Sequence, residues 1–228
     1  MQFPLVRVQP GRSAVVVLGR GQHPLATDPG LPVRRRASGG GAVLSGPWLL
    51  RALVVLPRSH ALAGEGLVAT ARWYGEVHHH WLRAQGIADA TLYRGPTLDH
   101  WACFAGRGPG EVLVDDRKIV GIAQTWRRRY LLLSAATLIA PPPWIQLCQS
   151  LRRPADDAAM LAARTVSAQD CVGRPVDPQA WALSLLGALR LAVARPSGPI
   201  HRVDAQHAGI LAAMPCGNEL VHPGRDGG

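Results

Sequence analysis

Two spacings of apolar residues alternate along this chain, and they separate its strands from its helices. Ser13 to Gly19 is a β-branched run closed by glycine, which predicts a buried strand. Val33 to Ala37 predicts a second, short strand after the Pro/Gly-rich turn 29–32, and Ala42-Val43-Leu44 resumes the extended pattern. Leu49 to Leu56 predicts another apolar strand, ended by Pro57. From Glu65 to about Gln85 the period changes. Leu67, Ala71, Tyr74, Val77 and Trp81 recur every three or four residues, as on one face of a helix, and Gly86 stands where it would stop.

Extended spacing returns in 111–140. Val112-Leu113-Val114, Lys118 to Trp126 and Tyr130 to Ile139 are separated by Asp115-Asp116 and by Arg127-Arg128-Arg129, which predicts an antiparallel meander. Pro141-Pro142-Pro143 ends it, and Trp144 to Leu151 predicts a short helix with proline near its start. Helices are also expected over Ala155 to Ser167 and over Pro178 to Ala194, the latter with Trp181, Leu185, Leu189 and Val193 on one stripe. Strands and helices mix without βαβ alternation or internal repeat, so the expected class is α+β.

Composition narrows this picture. The 228 residues, 47% hydrophobic and 18% charged, suit a soluble globular domain. That domain is expected over 1–195, followed by a poorly ordered Pro/Gly/His-containing tail at 196–228. No apolar run reaches the length of a membrane span, and the first residues lack a signal-peptide pattern, so no membrane partner and a cytoplasmic location are expected. Cys103, Cys148, Cys171 and Cys216 form no CxxC pair and read as reduced thiols. His78-His79-His80 point in different directions on a helix, so no metal site is expected there. The formal charge of +10 favours acidic partners. Abundant arginine, alanine, glycine and proline is what a GC-rich genome produces; apart from Arg34-Arg35-Arg36 and Arg127-Arg128-Arg129 the basic residues are scattered, and no aromatic-studded basic stripe points to nucleic acid.

Of 25 basic residues, the only lysine is Lys118. Arginine replaces lysine on a solvated surface but not in a tight pocket built for a compact ammonium, so this amine is a candidate for chemistry. Lys118 opens the run Lys118-Ile119-Val120-Gly121-Ile122-Ala123-Gln124, in which Gly121 and Ala123 leave room for a ligand against the sheet. The bland alternative is an edge lysine that discourages strand pairing. A second candidate is Arg35-Arg36-Ala37-Ser38-Gly39-Gly40-Gly41-Ala42-Val43, where three glycines after a strand let backbone N–H groups approach an anion. It could equally be a surface turn, and it fits neither the Walker nor the dinucleotide fingerprint.

Taken together, these segments resemble the lipoate-protein ligase family, with its related octanoyltransferases and more distant biotin ligases. The arginine-serine-triple-glycine-alanine-valine stretch precedes the lysine strand in the family's order, and Leu18-Gly19-Arg20-Gly21-Gln22 is similar to its early strand and turn. The resemblance implies a central mixed β-sheet flanked by helices, a class II synthetase-like biotin/lipoate ligase catalytic domain. It implies that Gly39, Gly40, Gly41, Ala42 and Val43 line the acyl and adenylate tunnel, shaped by Arg35 and Ser38, and that Lys118 meets the acyl carbonyl and the phosphate. ATP with Mg2+ and lipoate would be the substrates, with no bound prosthetic group. A lipoyl-type carrier domain of a 2-oxoacid dehydrogenase or the glycine cleavage system would be the partner of a monomeric enzyme.

Leu44 and Ser45 stand where family ligases commonly carry a histidine, and the chain begins close to its first expected strand. These departures bear on ATP use more than on fold. Two alternatives follow: an octanoyltransferase using Cys148, 30 residues beyond Lys118, as a thioester nucleophile, and a binding protein that keeps the scaffold without the chemistry.

Overall fold

The computed structural model describes residues 4–23 and 30–195. The expected tail 196–228, with Cys216, lies outside the described residues.

Six strands form the main sheet: β1 (Leu5–Pro10), β5 (Leu49–Pro57), β9 (Tyr130–Leu138), β8 (Arg117–Trp126), β7 (Val112–Val114) and β6 (Thr91–Leu92), in that spatial order. Every neighbouring pair is antiparallel. A smaller sheet of β3 (Val33–Arg35), β2 (Val15–Leu18) and β4 (Val43–Ser45) holds the parallel pairing, between β2 and β3. The mixed sheet expected from the sequence is thus divided between a large antiparallel sheet and a small mixed one.

Each face of the main sheet has its own core. On one side α1 (Leu67–Ala84) and α5 (Pro178–Ala194) bring Tyr74, Trp81, Leu82, Trp181, Leu185 and Leu189 onto Ala52, Val54, Leu56, Leu131 and Leu133. The two helices meet edge-on through Trp81 and Trp181, with ring centroids 5.3 Å apart. On the other side the small sheet, α2 (Trp144–Ser150) and α3 (Asp156–Arg164) enclose Val16, Leu44, Leu49, Phe104, Leu138, Leu147 and Leu161. The candidate lysine and glycine segments both belong to this second side.

The meander 112–138 follows the sequence pattern closely, because its reversals are locally encoded. Asp115 and Asp116 both take positive φ, 48° and 62°, in the two-residue loop between β7 and β8. Such primed turns match the twist of paired strands, and aspartate tolerates the left-handed region better than most residues. Neither β1 nor β6 was anticipated, nor was a separate short helix beyond Thr165. β1 is a half-buried edge strand whose register, Leu5 opposite Val55 to Pro10 opposite Leu50, is supplied by β5 and not by its own alternation. The expected helix over 155–167 stops at Arg164, because Thr165 turns extended and pairs beside Lys118, with Val166 N–H donating to the Lys118 carbonyl at 3.2 Å. Ser167 then opens α4 (Ala168–Val172) with a reciprocal capping box to Asp170.

The histidine triplet lies on α1 and is split by the helix as expected. His78 is fully buried, with Nδ1 2.8 Å from the Tyr74 carbonyl oxygen, while His79 Nε2 reaches the Ala90 carbonyl oxygen at 2.9 Å. No group of three His, Cys, Asp or Glu side chains able to hold a metal occurs among the described residues. Burial holds the His78 imidazole neutral and lowers its pKa from 6.5 to about 4. A depressed folded-state pKa means the stabilising neutral form is retained above pH 6.5 and lost as pH falls towards 4. Chemical unfolding followed across that window should show stability falling by roughly 3 kcal/mol from this group. His78→Leu, which cannot take up the proton, should flatten that acid limb.

Candidate active site

Lys118 is placed by a defect in strand pairing. Val112 pairs with Val120 and Leu113 with Lys118, so Ile119 is an extra residue on β8. In a regular strand, residues 118 and 121 would point to opposite faces. The bulge reverses the alternation, sending Ile119 into the helix-side core and Lys118 to the same side as Gly121. A side chain at Gly121 would lie 3.4 Å from Lys118 Cε and 3.7 Å from Phe104 Cζ, so that glycine leaves space beside the lysine stem.

The ammonium is enclosed and fully engaged. Lys118 is 2% exposed, and its Nζ donates to the carbonyl oxygens of Cys103 at 2.7 Å and Gly106 at 2.9 Å. Glu111 Oε1 lies 2.6 Å away, and the Phe104 ring centroid 5.6 Å away. An ammonium has three N–H donors, so each has a protein partner. Glu111, just before β7, is 4% exposed and accepts from the N–H groups of Gly108 at 2.8 Å and Ile122 at 3.3 Å. Burial pushes its carboxyl pKa up, against the opposing pull of the Lys118 charge and these hydrogen bonds.

The glycine loop is held open by its own backbone and one arginine. Gly40 has φ +87°, and a Cβ at Gly41 would meet the His100 and Trp101 carbonyl oxygens at 2.5 and 2.6 Å, so only glycine permits that approach. Arg36 spreads its guanidinium across the loop, donating to the carbonyls of Gly39, Gly41 and Val17. Gln22 ties the loop to its neighbours, accepting from Gly19 N–H at 3.1 Å and donating to the Trp101 carbonyl at 2.9 Å.

The Cys103 peptide joins the two motifs. Its N–H donates to the Ala42 carbonyl at 2.8 Å, and its carbonyl accepts from Lys118. Ala42 in turn donates to the Trp101 carbonyl at 2.7 Å, forming a short parallel bridge between 42 and 102. Two clefts flank this connection and share Asp99. One, of about 450 Å³, is lined by Gln22, Gly40, Gly41, Asp99, His100 and Trp101. The other, of about 570 Å³, lies over the β7–β8 turn and is lined by Arg107, Asp116, Arg117 and Arg164 among others.

The structure brings some of the expected site residues together and separates others. Lys118 and Gly121 adjoin, and Gly39, Gly40, Gly41, Ala42 and Ser38 form the loop, with Ser38 buried and accepting from Arg20 N–H through its carbonyl. Val43 and Ala123 sit within strands, paired with Val17 and Ser134, as half-buried positions. Arg35 is exposed on β3, and it is Arg36 that donates to the Gly39 and Gly41 carbonyls. Cys148 is fully buried in α2, in the second core, and burial pushes its thiol pKa up, the opposite of what an activated nucleophile needs. Glu111 and the Cys103 carbonyl were not anticipated. Their only trace in the sequence is an acidic residue directly before the buried run Val112-Leu113-Val114.

Known proteins share this arrangement of elements. The crystal structure of lipoate-protein ligase A bound with ATP superposes with a TM-score of 0.61 at 21% identity, covering 92% of this chain and 79% of that one. A bi-partite lipoate protein ligase from Thermoplasma acidophilum, described with its E2 lipoyl domain, gives 0.60 at 21% identity over 92% and 78%. LipL1 of P. falciparum in complex with lipoate gives 0.59 at 13% identity over 94% and 57%. At these identities the likeness is one of fold. No curated protein matches the chain in sequence. The Lipoyl protein ligase A/B catalytic domain matches residues 7–183, the greater part of the chain, and the chain therefore belongs to that family.

Proposed function

We propose that this protein activates lipoate, or an acyl acid of similar shape, with ATP and transfers the acyl group to a lysine of a lipoyl-type carrier domain. The observation that carries this reading is the single lysine of the chain, buried and hydrogen-bonded to the Cys103 peptide that braces the glycine loop, in a domain of this family. In the first half-reaction the acid's carboxylate oxygen attacks the α-phosphorus of ATP and pyrophosphate leaves. In the second, the carrier's amine attacks the acyl carbon, a C–N bond forms, the C–O bond to phosphate breaks, and AMP leaves. Both steps concentrate negative charge on oxygen. A fixed ammonium in a water-poor cleft stabilises such charge more than solvent does, because it needs no reorganisation when the charge develops.

The glycine loop offers backbone N–H groups at Gly39 and Gly40, where no neighbouring atom lies within 3 Å of a would-be Cβ. That openness suits close approach of an acyl-phosphate. Magnesium would enter with the nucleotide, held chiefly by phosphate oxygens. ATP-bound and lipoate-bound members of the fold support these two substrates. The described partnership of the archaeal ligase with an E2 lipoyl domain supports a carrier such as that of a 2-oxoacid dehydrogenase, with the glycine cleavage carrier as its counterpart. A protein of formal charge +10 suits a carrier that is acidic around its target lysine. The burial of Cys148 favours this reading over a thioester route through that residue.

Purified protein given lipoate, ATP and an acidic lipoyl domain should add one lipoyl group per carrier, read by intact mass. Lys118→Met should slow that transfer about 10²- to 10³-fold. Lys118→Arg should fare little better, since a planar guanidinium does not reproduce a compact ammonium in this enclosure. Full activity in either variant would remove Lys118 from the mechanism. Cys148→Ala should leave transfer intact, whereas its abolition would point to an acyl-thioester. Raising ionic strength should slow transfer mainly through weaker encounter with the carrier, visible as a higher KM for the carrier and not for lipoate.

A further inference from the structure

The mechanism above leaves unused the buried carboxylate that faces Lys118. Glu111 sits 2.6 Å from the amine assigned to the substrate, and no other salt-bridge partner of Lys118 occurs among the described residues. We infer that Glu111 is the resident counter-ion of Lys118 and that an acyl carboxylate binds by taking its place on that ammonium. Glu111 thereby sets how tightly the acid is held. This rests on the reading of Lys118 as the group that meets the acyl carboxylate.

Three features carry the exchange. First, all three donors of the ammonium are engaged, so an incoming anion must replace a partner and cannot simply add one. Replacing either backbone carbonyl would leave two carboxylates on one ammonium, where like charges oppose each other. Replacing Glu111 exchanges one carboxylate for another and keeps the local charge balanced. Second, Glu111 is not orphaned when the amine leaves. Its Oε2 keeps the Gly108 N–H and its Oε1 keeps the Ile122 N–H, so the carboxylate stays anchored to backbone. Third, Gly121 leaves a methyl-sized space beside the pair. The lysine stem lies against Gly121, where a side chain would sit 3.4 Å from Cε and 3.8 Å from Glu111 Oε1, so the absent side chain leaves adjoining space. A flexible four-carbon stem can use that space without moving β8.

The chain's single lysine makes the exchange directly observable. In protein labelled with [15N]lysine, one side-chain Nζ resonance is expected. Titration with lipoate in the absence of nucleotide should shift that resonance in step with saturation. In parallel, Glu111→Gln should bind lipoate at least about tenfold more tightly by calorimetry, because the amide no longer competes as an anion for the ammonium. An Nζ resonance that stays put while lipoate saturates the wild-type protein would overturn the exchange, and this arm needs no variant to fold. So would a folded Glu111→Gln protein whose lipoate affinity is unchanged or weaker. Lys118→Met separates the two levels of the argument. If it loses lipoate binding while Glu111→Gln changes nothing, only the role of Glu111 falls. If it binds lipoate like the wild type, the assignment of Lys118 falls and the exchange with it.

Discussion

The site is organised around a buried ion pair. Removing two charges from water costs several kcal/mol each, and their attraction repays this only when the remaining donors and acceptors are also satisfied. Here they are: the ammonium has two carbonyls besides Glu111, and the carboxylate has two backbone N–H groups besides Lys118. Those partners come from 103–111 and from Ile122, so the pair pins an otherwise irregular segment onto the main sheet. A protein stabilised for its own sake would do as well with apolar residues of similar volume. Keeping the charges is costly enough to suggest use.

Around this pair the fold divides its labour. The face covered by α1 and α5 is a conventional apolar core. The opposite face is interrupted, because the glycine loop and the end of α3 leave clefts between themselves and residues 98–107. Substrate polarity can therefore be handled on one side while stability is concentrated on the other. The bulge at Ile119 serves both sides at once: the extra residue fills the helix-side core, and the shift it causes turns Lys118 towards the Cys103 and Gly106 carbonyls.

Much of this was legible from residue order. Strands 112–114, 117–126 and 130–138 and helices 67–84, 144–150 and 178–194 lie where periodicity and local turn chemistry put them, because their signals are short-range. The strand at Leu5–Pro10 was not, since its register comes from a distant partner, from Leu50 opposite Pro10 to Val55 opposite Leu5. At the site, the lone lysine and the triple glycine stood out by type. Glu111 did not, because one glutamate among acidic residues carries no mark of burial. Arg35 and Arg36 are indistinguishable in a row of three arginines, and only the direction of β3 decides that the second crosses the glycine loop. The bulge was equally hidden. Simple alternation would have set Lys118 and Gly121 on opposite faces.

The peptide group between Ala102 and Cys103 gives its N–H to the glycine loop, and the next carbonyl along, that of Cys103, holds the lysine. Amide planes are stiff, and the only soft joints between these two are the backbone dihedrals of Cys103 itself. Any rotation at those dihedrals that turns the carbonyl also tilts the plane whose N–H steadies Ala42. The lysine and the glycine loop are thereby coupled mechanically through one residue, without any helix or strand having to shift.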